Sequence, residues 1–306
     1  MLSRRQALFT GIALPFAAAL PSAPARAGAD MLGAGAASYN RFKLGAFEVT
    51  ALLAGSATVP DPNQIFGLNA AAEDFAAVSQ AAFLPTDKAQ FFFTPTVVNT
   101  GTELVLFDTG MAPEGIVAAL TAAGYSPDQV DVVVLTHMHP DHIGGLMTAG
   151  APTFANARYV TGSAEHNFWM GAGSEQFDAN VRPLSDKTTM LDDGGAVASG
   201  MTAMLAAGHT PRHMAYMLES NGQQLVLTAD TANHYVWSLA NPDWEVKFDA
   251  DKAAAAATRR SLFGMLAADR LPFIGYHMPF PALGFVETAG EGFRYVPASY
   301  QMMLNG

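Results

Sequence analysis

The stretch Leu135-Thr136-His137-Met138-His139-Pro140-Asp141-His142-Ile143-Gly144-Gly145 carries three imidazoles and a carboxylate between positions 137 and 142. Imidazole and carboxylate together suit Zn²⁺, Fe, Mn or Co. The residues just ahead, 132–135, form an apolar run with the signature of a buried strand. Along extended backbone His137 and His139 project to one side, because side chains alternate with a period of two. Pro140 then turns the chain, so Asp141 and His142 address a second point nearby. The spacing offers two adjacent metal positions.

Further ligand types lie downstream in matching contexts. His209 follows an apolar run at 202–206, Asp230 follows 225–228, and His277 follows 271–275. Each sits just past the C-terminal end of a predicted strand, where α/β sheets collect their sites. A lone histidine after a strand is more often structural. Four strand ends carrying seven ligand-type residues are not explained as solvated loops.

The elements that position these residues alternate along the chain. Strands are predicted over 47–53, 95–99, 103–107, 131–136, 157–161, 202–206, 214–219, 224–228 and 271–275, the last being the final buried strand. Helices are predicted over 70–82, 114–123, 164–170 and 249–268, and one can begin at Asp141. Asp108-Thr109-Gly110 turns the chain. Residues 60–90 mix Pro, Asn and Ala and give a weaker pattern. With no clean linker and no internal repeat, one layered α/β domain fits best.

Residues 1–27 read as an export signal. Arg4 and Arg5 open it, the apolar run 7–20 follows, and Ala25-Arg26-Ala27 supplies a small-x-small cleavage site. The apolar run contains Pro15 and is too short to span a membrane comfortably. Ser3-Arg4-Arg5-Gln6-Ala7-Leu8-Phe9 resembles a twin-arginine signal, so the mature protein is expected in the periplasm. Residues 28–43, rich in Gly and Ala, read as a flexible lead-in to a domain over 44–306.

Composition excludes whole classes of function. Of the 306 residues 50% are hydrophobic and 14% charged, which is a folded chain with a large core. Lys plus Arg total 16 against 27 Asp plus Glu, for a net charge of −11. Such a chain is no general nucleic-acid binder, and no stable membrane insertion is expected. Cysteine is absent, which removes disulfides, thiolate metal sites, Fe–S clusters and cysteine nucleophiles together.

The run His137-x-His139-x-Asp141-His142, with His209, Asp230 and His277, resembles the metallo-β-lactamase superfamily. Leu106-Phe107-Asp108-Thr109-Gly110 and Gly208-His209-Thr210-Pro211 fit the same pattern. The resemblance covers nearly the whole mature chain and implies an αβ/βα four-layer sandwich with the site at one edge of the sheets. Within it, Asn167-Phe168-Trp169 and the segments 280–285 and 292–297 are similar to the methyl parathion hydrolase-like and lactonase branch. Members of that branch hydrolyse organophosphate triesters, aryl esters or lactones. They are exported, binuclear and commonly homodimeric.

The resemblance also implies roles. His137, His139 and His209 hold one divalent ion, and Asp141, His142 and His277 hold the other. Asp230 bridges them, and Asp230 and Asp141 are the catalytic carboxylates. Zinc is the first choice of metal, with Mn, Fe or Co as alternatives. The ions share a hydroxide that attacks a carbonyl carbon or phosphorus. Asp108 is expected to brace the ligand loop and His213 to support it. Phe93, Trp169 and His234 are expected to line a substrate pocket, and His166 to be solvated. An acidic protein with an apolar mouth suits small neutral esters, lactones or phosphotriesters. A glyoxalase II-like thioesterase or a β-lactam hydrolase on the same fold is the alternative.

Overall fold

Val132–Leu135 shows how the architecture arises. In this all-apolar strand Val132 and Val134 point one way and Val133 and Leu135 the other, and all four are buried. A strand buried on both faces must be covered on both faces. Val132 and Val134 join the core between two sheets, with Val98, Val105 and Val160 from neighbouring strands. Val133 and Leu135 pack outward against Ile116, Ala119 and Leu120 of the helix Pro113–Ala122.

The computed structural model describes residue 35 and residues 37–304. The export signal expected at 1–27 lies outside the described residues, as does half of the expected lead-in.

The first sheet runs, in spatial order, Tyr39–Leu44, Phe47–Leu52, Thr96–Asn99, Leu104–Phe107, Val132–Leu135, Arg158–Gly162, Thr188–Leu191. It is antiparallel up to Leu104–Phe107 and parallel beyond. The second runs Ala196–Ala198, Met201–Leu205, Met214–Ser220, Gln223–Ala229, Phe273–Gly275, Leu283–Ala289, Gly292–Pro297. Its one parallel pair joins Gln223–Ala229 to Phe273–Gly275. The crossover between these two holds the helix Lys252–Asp269, which sets Leu262, Phe263 and Leu266 into the core. Asp251 caps that helix by accepting the Ala254 N–H. Helices on the outer faces of two packed sheets make the αβ/βα four-layer sandwich.

Several sequence expectations are corrected. The lead-in read over 28–43 ends earlier, because Tyr39–Leu44 is the edge strand of the first sheet. Phe42 and Leu44 are buried on alternate positions, a pattern too short to stand out beside the Gly/Ala tract. Residues 271–275 are not the last strand. The hairpin Leu283–Ala289 with Gly292–Pro297 completes the second sheet. In the weak region, Gly55–Pro60 pairs with Lys88–Phe93 as a separate ribbon. The helix begun near Asp141 is a single turn, Pro140–Ile143. No helix among the described residues is long and apolar enough to cross a membrane.

Candidate metal centre

The loop after Val132–Leu135 is held by one carboxylate. Asp108 accepts the Thr136 N–H and the Thr136 hydroxyl, each at 2.9 Å. It also meets His142 Nδ1 at 2.8 Å. Asp108 sits at φ 60 and is buried, so a strained backbone is kept at the point where two loops cross. Gly144 and Gly145 permit that crossing. A Cβ on Gly144 would lie 2.1 Å from the Met111 carbonyl oxygen, and one on Gly145 would lie 2.2 Å from that of Thr109.

All seven expected ligands converge. His139 Nδ1 stands 3.1 Å from His137 Nε2 and 2.9 Å from His209 Nε2. Alongside, His277 Nε2 lies 3.2 Å from Asp141 Oδ2, and His142 Nε2 lies 3.5 Å from the same oxygen. Asp230 stands between the two groups. Its Oδ2 is 3.1 Å from His277 Nε2 and 3.4 Å from His209 Nε2, while its Oδ1 is 3.3 Å from His142 Nε2. Donors about 2.0–2.1 Å from a tetrahedral zinc stand about 3.3 Å from one another, so the spacing fits donors sharing a cation.

The outward nitrogens fix the rings. His142 Nδ1 faces Asp108, His209 Nδ1 faces Asp249 Oδ1 at 3.0 Å, and His277 Nδ1 faces the Phe92 carbonyl at 2.9 Å. His137 Nδ1 faces Thr136 Oγ1 at 3.1 Å. Each of these four rings therefore turns its Nε2 inward. His142 Nε2 and Asp230 Oδ1 are buried without a hydrogen-bond partner. Orphaned ligand atoms aimed at one centre are otherwise costly, and a cation would satisfy them.

The electrostatics separate the two groups. Burial and the neighbouring His142 and His139 hold His137 well below its ordinary pKa. Burial, with His209, holds His139 down to about 3. These imidazoles stay neutral, with lone pairs free for metal. Burial opposes charge on His142 and His277 as well. There Asp230 and Asp141 overcome it, aided at His142 by Asp108, and push His142 well above its ordinary value and His277 up to about 10. Burial would raise Asp230, but His277 and His142 hold it below the usual carboxylate range. The carboxylates of the second group thus favour positive charge in their midst, which a divalent ion supplies.

A family model of the metallo-beta-lactamase superfamily matches residues 94–272, a stretch that contains six of the seven converging residues. The chain belongs to the metallo-beta-lactamase superfamily. Among solved members, AidC, a dizinc quorum-quenching lactonase in complex with a product N-hexanoyl-L-homoserine, is 25% identical with a TM-score of 0.80. The match covers 86% of this chain and 98% of that one. The hydrolase AbOPH of the beta-lactamase superfamily gives 25% identity and a TM-score of 0.81, over 88% of this chain and 100% of its own. By sequence, the N-acyl homoserine lactonase AttM of Agrobacterium fabrum (strain C58) is 27% identical over 130 residues, 39% of this chain and 48% of that protein. An uncharacterized protein, YobT, of Bacillus subtilis (strain 168) is 27% identical over 158 residues, 48% of this chain and 65% of its own length. The superfamily chain thus spans about half to two-thirds of these curated relatives.

The residues expected around the ligands fall out differently. His213 is buried beside His137, and its Nε2 accepts the Asp230 N–H at 3.1 Å. His234, with His277, lines an apolar cavity of about 420 Å³. Phe93 touches the His277 ring with centroids 5.8 Å apart, but Phe92 is the member of that run lining the cavity. Trp169 lies apart from the cavity and packs on His139 at 5.8 Å. His166 is buried, not solvated, with Nε2 on Ser185 and its ring against Phe177.

Three participants carried no sequence signal of their role. Asp249, read only as a helix start, holds His209 and pairs with the buried Arg259 at 2.8 Å. Glu165 is fully buried and accepts from Trp169 Nε1 at 2.6 Å, Thr210 Oγ1 at 2.8 Å and the Arg212 N–H at 3.1 Å. It thereby ties the ring against His139 to the loop carrying His209. The Phe92 carbonyl is invisible to side-chain patterns altogether.

Proposed function

We propose that this metal-dependent hydrolase is binuclear and acts on lactones and aryl esters, with neutral phosphotriesters as secondary substrates. The observation that carries the reading is Asp230, whose two oxygens reach donors of both ligand groups within 3.1–3.4 Å. In this reading His137, His139 and His209 hold one ion, Asp141, His142 and His277 the other, and Asp230 serves both. Bound there, divalent ions, zinc first, supply a Lewis acid for the substrate oxygen and a solvent nucleophile that ionises near neutral pH.

The chain supplies the positioning. Asn233 Nδ2 donates to Asp230 Oδ2 at 2.9 Å, and His213 fixes the Asp230 backbone, so the shared carboxylate is held from two sides. The apolar cavity beside His277 receives an uncharged arm and excludes water from it. No protein nucleophile is needed. AidC and AbOPH support the lactonase and hydrolase readings respectively. Export through the segment 1–27 and a homodimer complete the proposal. N-terminal sequencing of secreted protein and light scattering test those two points.

Elemental analysis and a substrate panel test the core of it. About two ions per chain are expected, with lactones and aryl esters turned over ahead of paraoxon-type triesters. Asp230→Asn should lose on the order of 10²-fold or more in kcat and lower the metal content. One ion per chain, or no turnover of any ester, contradicts the reading.

A further inference from the structure

His234 stands four residues past Asp230, and the catalytic assembly described above does not use it. The ring is 7% exposed. Its Nδ1 receives two backbone donors, the Val236 and Trp237 N–H groups, each at 3.1 Å. A backbone N–H can only donate, so Nδ1 holds the lone pair and the proton sits on Nε2. The ring cannot easily turn. It stacks on Trp237 at 4.0 Å and 15°, on Tyr235 at 4.8 Å, and leans on Phe66 at 5.5 Å. Ser238 Oγ accepts the His234 N–H and donates to the His234 carbonyl, fixing the backbone as well.

This clamped ring forms part of the wall of the 420 Å³ cavity that His277 also lines. Leu84, Phe92, Tyr235 and Trp237 give the wall most of its apolar surface, while Thr58, Lys88 and Gln90 add polar groups. No acceptor among the described residues meets Nε2. Burial holds the imidazole down to about 3, so it stays neutral.

We propose that His234 is a specificity-determining residue whose Nε2–H donates a hydrogen bond to an acceptor on the acyl arm of the substrate. The proposal rests on the lactonase reading and narrows it. The favoured substrates carry an amide carbonyl or an oxo group close to the scissile ester, as N-acyl lactones do and plain alkyl lactones do not. A donor fixed in an apolar wall loses little freedom on binding and rewards a matching acceptor. A substrate arm without one leaves the N–H unmet.

Two substitutions separate the halves of the ring. In His234→Asn the amide oxygen replaces Nδ1 and keeps the turn, but nothing replaces Nε2–H. His234→Gln restores a donor near Nε2 and gives up the turn acceptor. In the zinc-loaded full chain, kcat/KM is measured for N-hexanoyl homoserine lactone and for γ-caprolactone. The ratio between them should fall about ten-fold in His234→Asn, through KM, and recover in part in His234→Gln. Equal losses on both substrates would reduce His234 to a turn residue and overturn the proposal. Side-chain ¹H–¹⁵N spectra of the wild type give a test independent of turnover. They should show the Nε2–H tautomer, with its resonance moving as N-hexanoyl-homoserine is added. An Nδ1–H tautomer or an unmoved resonance also overturns it. A wild type that opens no lactone removes the lactonase reading and this inference with it, and that result is seen before any variant is made.

Discussion

Four of the five clustered imidazoles use Nδ1 on a protein partner and turn Nε2 inward, and the partner at His209 is itself held. Asp249 gives one oxygen to His209 and the other to Arg259, whose Nε donates to the Pro242 carbonyl at 2.8 Å. Partners of this kind orient a metal ligand and are typically worth 10–100-fold in metal affinity. Asp249→Asn should therefore weaken zinc binding by roughly that factor in a chelator competition. The change also strands the buried Arg259, so the variant is paired with Arg259→Met to separate metal affinity from fold stability. An unchanged zinc affinity in both would remove Asp249 from the site. The seven ligand types could be read from sequence because each follows an apolar strand at its C-terminal end. Asp249 could not, since an aspartate ahead of an Ala-rich helix has the same appearance as an N-cap and its partner is 40 residues away.

The elements deliver these side chains through close backbone crossings. Gly145 is one such case, with the Thr109 carbonyl oxygen 2.2 Å from where a Cβ would lie and the Ile116 side chain at 2.8 Å. Gly145→Ala should lower stability by about 1–3 kcal/mol and shift the turn that carries Asp141 and His142. Thermal unfolding together with zinc content checks this, and an alanine variant with wild-type values for both would contradict it. The same scale explains which parts of the fold were hidden. Val132–Leu135 and Gln223–Ala229 are apolar enough to be read directly. Phe91, Phe92 and Phe93 are not, because three consecutive aromatics do not reveal which phase of the strand faces inward. In the ribbon Phe91 packs into the core, Phe92 reaches the cavity and Phe93 flanks His277. The strands Tyr39–Leu44 and Gly292–Pro297 lie at sheet edges and are partly exposed, so their alternation is incomplete.

At the scale of the whole molecule, each ligand group draws on both sheets. His137, His139, Asp141 and His142 follow a strand of the first, while His209, Asp230 and His277 follow strands of the second. Ions held there would join the two halves of the sandwich, and their binding energy would become folding energy. An ion present at 1,000 times its dissociation constant adds about 4 kcal/mol. Exhaustive chelation should lower Tm by on the order of 10 °C, and zinc should restore it. A Tm indifferent to chelation would show that the two sheets do not rely on the site. The net charge of −11 acts at this scale too, opposing the long-range approach of anions to the molecule.

The central claim is that two cations sit side by side and share Asp230. Anomalous scattering from a crystal of the zinc-loaded protein tests it most directly. Two peaks are expected, roughly 3.5–4 Å apart, one against His137, His139 and His209 and the other against Asp141, His142 and His277, with a carboxylate oxygen of Asp230 touching each. A single peak at full zinc loading, or an Asp230 carboxylate turned away from both, would contradict the account.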